Sequence, residues 1–170
     1  MSRARLTIPL AALVIAAVVA VFVATSGGAT KTTASSSSAV SLGHTSVGAV
    51  LTDASGRTLY LFEGDRPNVS TLSAAGRAIW PPFTSKAKPA AQGGANAALI
   101  GTISGSGGAG QVTYDGHPLY YYVGDQDAGQ TAGQGLNQFG ARWYVLSAAG
   151  QAITSSATAA SRSVGSTYGY

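Results

Sequence analysis

Residues 56–65 read GRTLYLFEGD and residues 116–125 read GHPLYYYVGD. Aligned without a gap, the two stretches share Gly56/Gly116, Leu59/Leu119, Tyr60/Tyr120, Gly64/Gly124 and Asp65/Asp125, and Phe62 stands opposite the aromatic Tyr122. A chain that writes one pattern twice in this way carries an internal duplication. Its fold must therefore let two similar units meet.

Each copy reads as the second strand of a hairpin. Residues 47–53 (VGAVLTD) precede the turn Ala54-Ser55-Gly56, and residues 57–63 follow, with β-branched and aromatic residues on both sides of the glycine turn. Alternation puts Leu59 and Leu61 on one face and Tyr60 and Phe62 on the other, so both faces are partly apolar. Such a strand belongs inside a layered structure, or its aromatic face makes a binding surface. The second copy repeats the hairpin from Gln111, with Asp115-Gly116 as its turn.

Around these hairpins, residues 70–79 predict a short helix. Ser70 or Thr71 would cap it, Leu72, Ala75 and Ile79 would share a face, and Trp80-Pro81-Pro82 would stop it. Residues 84–98 read as a loop, 99–104 as a strand and 105–110 as a glycine turn. A long Gly/Gln loop at 125–139 then leads to a strand at 142–146, a turn at 147–150 and a last short strand at 151–153.

The ends differ in composition. Arg3 and Arg5 precede an apolar run, uninterrupted over residues 10–24, so residues 1–26 are expected to be a signal peptide or, uncleaved, a membrane anchor. Residues 27–46 are rich in Ser and Thr with few large apolar groups and are expected to be a tether, in which His44 is a bystander. The tail 154–170 is again Ser/Thr/Ala/Gly and is expected to be disordered. The expected architecture is one mainly β domain at 47–153, built of two repeat units at 47–83 and 107–153 that each contain a hairpin.

Composition removes several functions. Ten basic residues face six acidic ones; without Arg3 and Arg5 the excess is +2, spread singly along the chain, which makes no nucleic-acid patch. Cysteine is absent, so disulfides, thiolate nucleophiles and Cys-ligated zinc are absent too. No HExxH motif, nucleophile elbow or phosphate loop is present. No catalytic residue, metal or cofactor is assigned.

The chemistry-bearing constellation is the repeated one: Tyr60, Phe62 and Asp65 in the first copy, Tyr120, Tyr122 and Asp125 in the second, with Trp80 and Trp143 downstream. An aspartate just past a strand and after a glycine accepts backbone amides of the following turn, and the tyrosine hydroxyl can bond the same region while its ring packs. A second reading pairs Asp65 with Asp125 about a pseudo-two-fold axis as a metal or acid–base site. A third takes the rings as a platform for saccharide or another flat or apolar ligand, against the commoner fate of core packing.

On these residues the chain resembles the bacterial secreted-repeat or predicted-lipoprotein family marked by a Y-x-[FWY]-x-x-D motif, usually in two copies. The similarity rests on Leu59-Tyr60-Leu61-Phe62 with Asp65, Ile79-Trp80-Pro81-Pro82, Leu119-Tyr120-Tyr121-Tyr122 with Gly124-Asp125, Gly133-Gln134-Gly135 and Trp143-Tyr144-Val145. The resemblance implies an extracytoplasmic, β-rich protein without established activity, some of whose relatives are associated with hydrocarbon (alkane) catabolism. Many relatives carry a Cys-x-x-x-Cys pair before Trp-Pro-Pro, where this chain has Leu72 and Gly76. The functional expectation is a non-catalytic module that binds a small ligand or an envelope component, with membrane contact only through an uncleaved leader. The competing expectation is an extracytoplasmic metal protein or enzyme using Asp65 and Asp125.

Overall fold

The computed structural model describes residues 38–155. The expected leader, most of the expected tether and nearly all of the expected tail lie outside them. Ten strands and one α-helix follow in order: β1 (Ala39–Thr45), β2 (Gly48–Asp53), β3 (Tyr60–Phe62), α1 (Ala74–Ile79), β4 (Thr84–Ser85), β5 (Ala90–Ala91), β6 (Ile100–Ile103), β7 (Gly110–Tyr114), β8 (His117–Pro118), β9 (Asn137–Gln138) and β10 (Ala141–Val145). They form three small sheets, ordered β2-β1-β5, β3-β10-β9 and β4-β7-β6, with β8 also on β7. The mainly β expectation holds.

Backbone bonds that join these sheets reveal how the two copies meet. Tyr60 and Tyr120 face each other as an antiparallel pair, N–H of each to C=O of the other, at 2.9 and 3.0 Å. Outside Tyr60 lies Val145 of β10, and outside Tyr120 lies Pro82. Each of these partners stands two residues past a tryptophan, Trp143 or Trp80. The order across this ribbon is thus residues 80–83, the Tyr120 segment, β3, β10. Each copy's tyrosine strand pairs with the tryptophan strand of the other copy.

Further bonds repeat in matched pairs. Val123 N–H donates to Ile79 C=O and Glu63 N–H to Arg142 C=O; Val112 N–H donates to Phe83 C=O and Leu51 N–H to Leu146 C=O; Leu119 N–H donates to Val112 C=O and Leu59 N–H to Leu51 C=O. Two local units joined only by a linker would not show this exchange. The duplication has folded into one interlocked body about a local pseudo-two-fold axis between Tyr60 and Tyr120.

The hydrophobic core divides on either side of this ribbon. One cluster gathers Val40, Leu51, Leu59, Leu61, Phe83, Ile100, Val112, Tyr114, Leu119 and Leu146. The other gathers Val50, Tyr60, Phe62, Leu72, Trp80, Tyr120, Trp143 and Val145. Leu59 and Leu61 fall in the first and Tyr60 and Phe62 in the second, as a period of two requires.

Several expectations are corrected. The tether expected over 27–46 contributes β1 at its end: Ala39 and Val40 are buried, and β1 pairs antiparallel with β2 and parallel with β5. The first hairpin forms over residues 51–59, where Asp53 N–H donates to Arg57 C=O, Thr52 pairs with Thr58 and Leu59 N–H donates to Leu51 C=O, and beyond it β3 pairs with β10 instead of continuing along β2. The loop expected over 84–98 contains β4 and β5. Helix α1 is capped by Ser73, whose Oγ accepts from Gly76 N–H at 3.2 Å, rather than by Ser70 or Thr71. Gly76 is its buried residue and Ala75 and Ile79 are exposed; the buried Leu72, ahead of the helix, packs so closely on Gly76 that a Cβ there would sit 2.4 Å from Leu72 Cδ1. The second hairpin stands as expected: β7 and β8 are joined through Asp115 and Gly116, whose φ values of 49° and 78° suit a type I′ turn.

Candidate functional site

The repeated tyrosines and aspartates bond across the copies. Tyr60 Oη donates to Asp125 Oδ2 at 2.6 Å, and Tyr120 Oη donates to Asp65 Oδ2 at 2.6 Å. Each carboxylate thus receives the phenol of the other repeat.

Local geometry explains the remaining motif positions. Asp65 N–H donates to Phe62 C=O and Asp125 N–H to Tyr122 C=O, both at 3.1 Å, so the chain reverses in the same way after each strand. This reversal lays the intervening glycine against the aromatic ring. A Cβ on Gly64 would lie 2.4 Å from Phe62 Cε1, and one on Gly124 would lie 2.4 Å from Tyr122 Cε1. The second carboxylate oxygen ties down a later loop. Asp65 Oδ1 accepts Thr71 N–H at 2.6 Å and Thr71 Oγ1–H at 3.0 Å, and Asp125 Oδ1 accepts Ala132 N–H at 2.9 Å.

The rings obey the same symmetry. Trp80 and Trp143 stack across the axis with centroids 3.8 Å apart and planes 6° from parallel. Tyr60 meets Trp80 edge-on at 5.3 Å, as Tyr120 meets Trp143 at 5.3 Å. Trp80 lies over Tyr122 at 4.4 Å, as Trp143 lies over Phe62 at 4.5 Å. Both indole N–H groups end on one residue: Trp80 Nε1 donates to Gln138 Oε1 at 2.8 Å and Trp143 Nε1 to Gln138 C=O at 3.2 Å. Edge-on and offset contacts of this kind add to the area the rings bury, and the buried indoles need these acceptors.

The two pairs differ in exposure. Asp125 is buried, and burial pushes its carboxyl above the ordinary aspartate value, opposed by the Tyr60 hydroxyl and the Ala132 amide. Burial, followed by the bond to Asp125, pushes the Tyr60 phenol up as well. Gly133 N–H reaches Tyr60 Oη at 3.3 Å from the inside. Asp65 is half-buried, and at its site Ser70 Oγ lies 2.7 Å from Tyr120 Oη. Burial, then the bond to Asp65, pushes the Tyr120 phenol up. A separate network ties the first hairpin to the second copy: Tyr121 Oη donates to Asp53 Oδ2 at 3.0 Å, and the Arg57 guanidinium lies 4.1 Å over the Tyr121 ring.

Of the sequence-predicted site residues, Tyr60, Phe62, Trp80, Tyr120, Trp143 and Asp125 are buried, while Tyr122 and Asp65 are half-buried. Five of the six rings therefore lie inside, where a ligand arriving from solvent does not meet them. No group of three or more His, Asp or Glu poised to hold a metal ion occurs among the described residues. The sequence reading missed Thr71, Ala132 and Gln138, because each acts through a contact that only the folded chain brings about. Ser70 carried a weak signal as a polar residue between the Asp65 turn and the helix.

Residues 101–147 match the model of a family described as a secreted repeat of unknown function. The matched stretch contains Tyr120, Tyr122, Asp125 and Trp143. No curated protein and no solved structure matches the chain.

Proposed function

We propose that this chain is a non-catalytic module working outside the cytoplasm, in which the repeated Tyr and Asp lock two copies together and ligand binding is left to the surface. The observation that carries the reading is the double engagement of each aspartate. Both oxygens of Asp65 and of Asp125 already accept hydrogen bonds from the domain itself. A metal ion or a reacting proton would have to displace those donors, and the displaced phenol would be left unpaired in the interior at a cost of about 1–3 kcal/mol. The matched family's description as secreted supports an extracytoplasmic location.

The competing reading, a metal protein or enzyme built on Asp65 and Asp125, makes a different forecast. Thermal unfolding of the chain against divalent metals, haem, saccharides and long-chain hydrocarbons separates them, since a ligand selective for the native state raises its melting temperature. The module reading expects a saturable rise with a ligand other than metal, and expects the rise to persist in Asp65→Asn. A rise with a divalent metal that disappears in Asp65→Asn and Asp125→Asn would overturn it.

A further inference from the structure

The polar groups of the repeated motif are engaged inside the domain, and the uncommitted ones gather elsewhere. Thr84 of β4 and Ile103 of β6 both stand opposite Gln111 of β7, so the three form one row across the sheet. This row, together with the loop 68–70 and Arg77 of α1, lines an open cleft of about 570 Å³. That volume lies within the range of small-molecule sites.

The lining has a definite chemical character. Gln111 and Ser70 are tied to the body, Gln111 Nε2 to Leu119 C=O at 3.1 Å and Ser70 Oγ to Tyr120 Oη at 2.7 Å. Asn68, Arg77, Thr84, Thr102 and Ser104 also line the cleft, and none of their side chains hydrogen-bonds within the described residues. Hydroxyls and an amide both donate and accept, which suits a partner that carries hydroxyls. Val69, half of its surface exposed, and Ile103 offer apolar surface to C–H groups. Arg77 is the one ionised residue in the lining, and no carboxylate opposes it. A guanidinium so placed favours an oxyanion with two acceptors side by side, as a carboxylate offers for two parallel bonds.

We propose that this cleft binds a small acidic sugar: a hydroxyl-rich molecule with one carboxylate, free or as a unit of an envelope polymer. The carboxylate pairs with Arg77, and the hydroxyls bond Asn68, Thr84, Thr102 and Ser104. Ser70, also in the lining, connects the cleft to the Tyr120–Asp65 pair through its bond with Tyr120 Oη. The assignment rests on the reading of the chain as a ligand-binding module and names its ligand class.

Titration of the full-length chain with glucuronate, a glucuronate oligosaccharide and glucose, followed by amide NMR shifts, tests it. Glucuronate is expected to shift the amides of Asn68, Arg77 and Thr102 saturably, with glucose at least tenfold weaker and Arg77→Gln losing at least tenfold in affinity. Tighter binding of the oligosaccharide than of glucuronate identifies the polymer as source; equal binding identifies the free acid. Thr102→Val, at an exposed strand position, repeats the test without touching the helix and is expected to weaken binding severalfold. Glucose binding as tightly as glucuronate, or affinity unchanged in both variants, overturns the assignment. Shifts confined to residues away from the cleft overturn it while leaving the module reading standing. Silence from these sugars, joined to a flat thermal scan over the wider ligand panel, sinks both.

Discussion

Tyr60 and Tyr120 exchange backbone hydrogen bonds with each other while each sends its side-chain hydroxyl to the aspartate of the opposite repeat. The same two residues therefore mark the pseudo-two-fold axis and fasten the units across it. Because the flanking tryptophan strands are exchanged as well, neither repeat holds a complete set of its own partners. Fragments 38–93 and 94–155 are accordingly expected to be unfolded alone and to regain structure when mixed. Near-ultraviolet circular dichroism of the stacked Trp80 and Trp143 is the readout; native-like signal from either fragment alone would contradict the exchange.

The two motif glycines are expected to behave alike. Gly64→Ala and Gly124→Ala each place a methyl 2.4 Å from an aromatic ring atom, with Phe62 or Tyr122 as the obstacle. Overpacking of this kind costs about 1–3 kcal/mol. Urea unfolding of the two variants should give losses in that range, similar in size because the geometry is the same.

Removing a ring from the central stack should be far more damaging. Trp80→Ala or Trp143→Ala deletes a fully buried indole and is expected to cost about 3–5 kcal/mol. Gln138→Leu, which strips the acceptor from the Trp80 indole and leaves the backbone carbonyl that Trp143 uses, is expected to cost about 1–3 kcal/mol. Chemical denaturation checks the order of the three.

At high pH the domain should unfold as its tyrosines ionise. Burial raises the phenols of Tyr60, Tyr120 and Tyr121 above the ordinary value of 10.0, so the unfolded chain releases these protons first. Their contribution is present below that value and is lost as pH rises through the folded values. Absorbance of phenolate is expected to show three tyrosines appearing late and together with loss of circular dichroism.

Asp125 has a matching signature at low pH. Its folded carboxyl titrates above the ordinary 3.8, so its contribution is full below that value and falls as pH rises through the folded one. The stability of the parent chain minus that of Asp125→Asn is therefore expected to shrink from pH 3 towards pH 7. Denaturant melts across that range check the sign.

The repeat, the mainly β character and the second hairpin were legible in the sequence because their causes are local. Asp115-Gly116 between two β-prone runs supplies the positive φ values its turn needs. Strand β1 was hidden, since Val40 and Leu42 sit among Ser, Thr and Gly and are covered only once β2, β5 and the core arrive. Gly76, a residue type that disfavours helix interiors, leaves the space that Leu72 fills, which no local pattern reveals. Above all, spacing shows that a tyrosine and an aspartate recur together but not whose aspartate each tyrosine reaches. That choice is made by strand exchange between segments sixty residues apart. The cleft around Arg77 was invisible for the same reason: its lining comes from five separate segments.

The most direct measurement is a pair of double-mutant cycles on unfolding free energy. The first combines Tyr60→Phe with Asp125→Asn, and the second combines Tyr60→Phe with Asp65→Asn. Cross-repeat fastening predicts a coupling of about 1–3 kcal/mol in the first cycle and additivity within about 0.5 kcal/mol in the second. Coupling between Tyr60 and Asp65, with none between Tyr60 and Asp125, would mean that each repeat closes on itself and would contradict the interlocked fold.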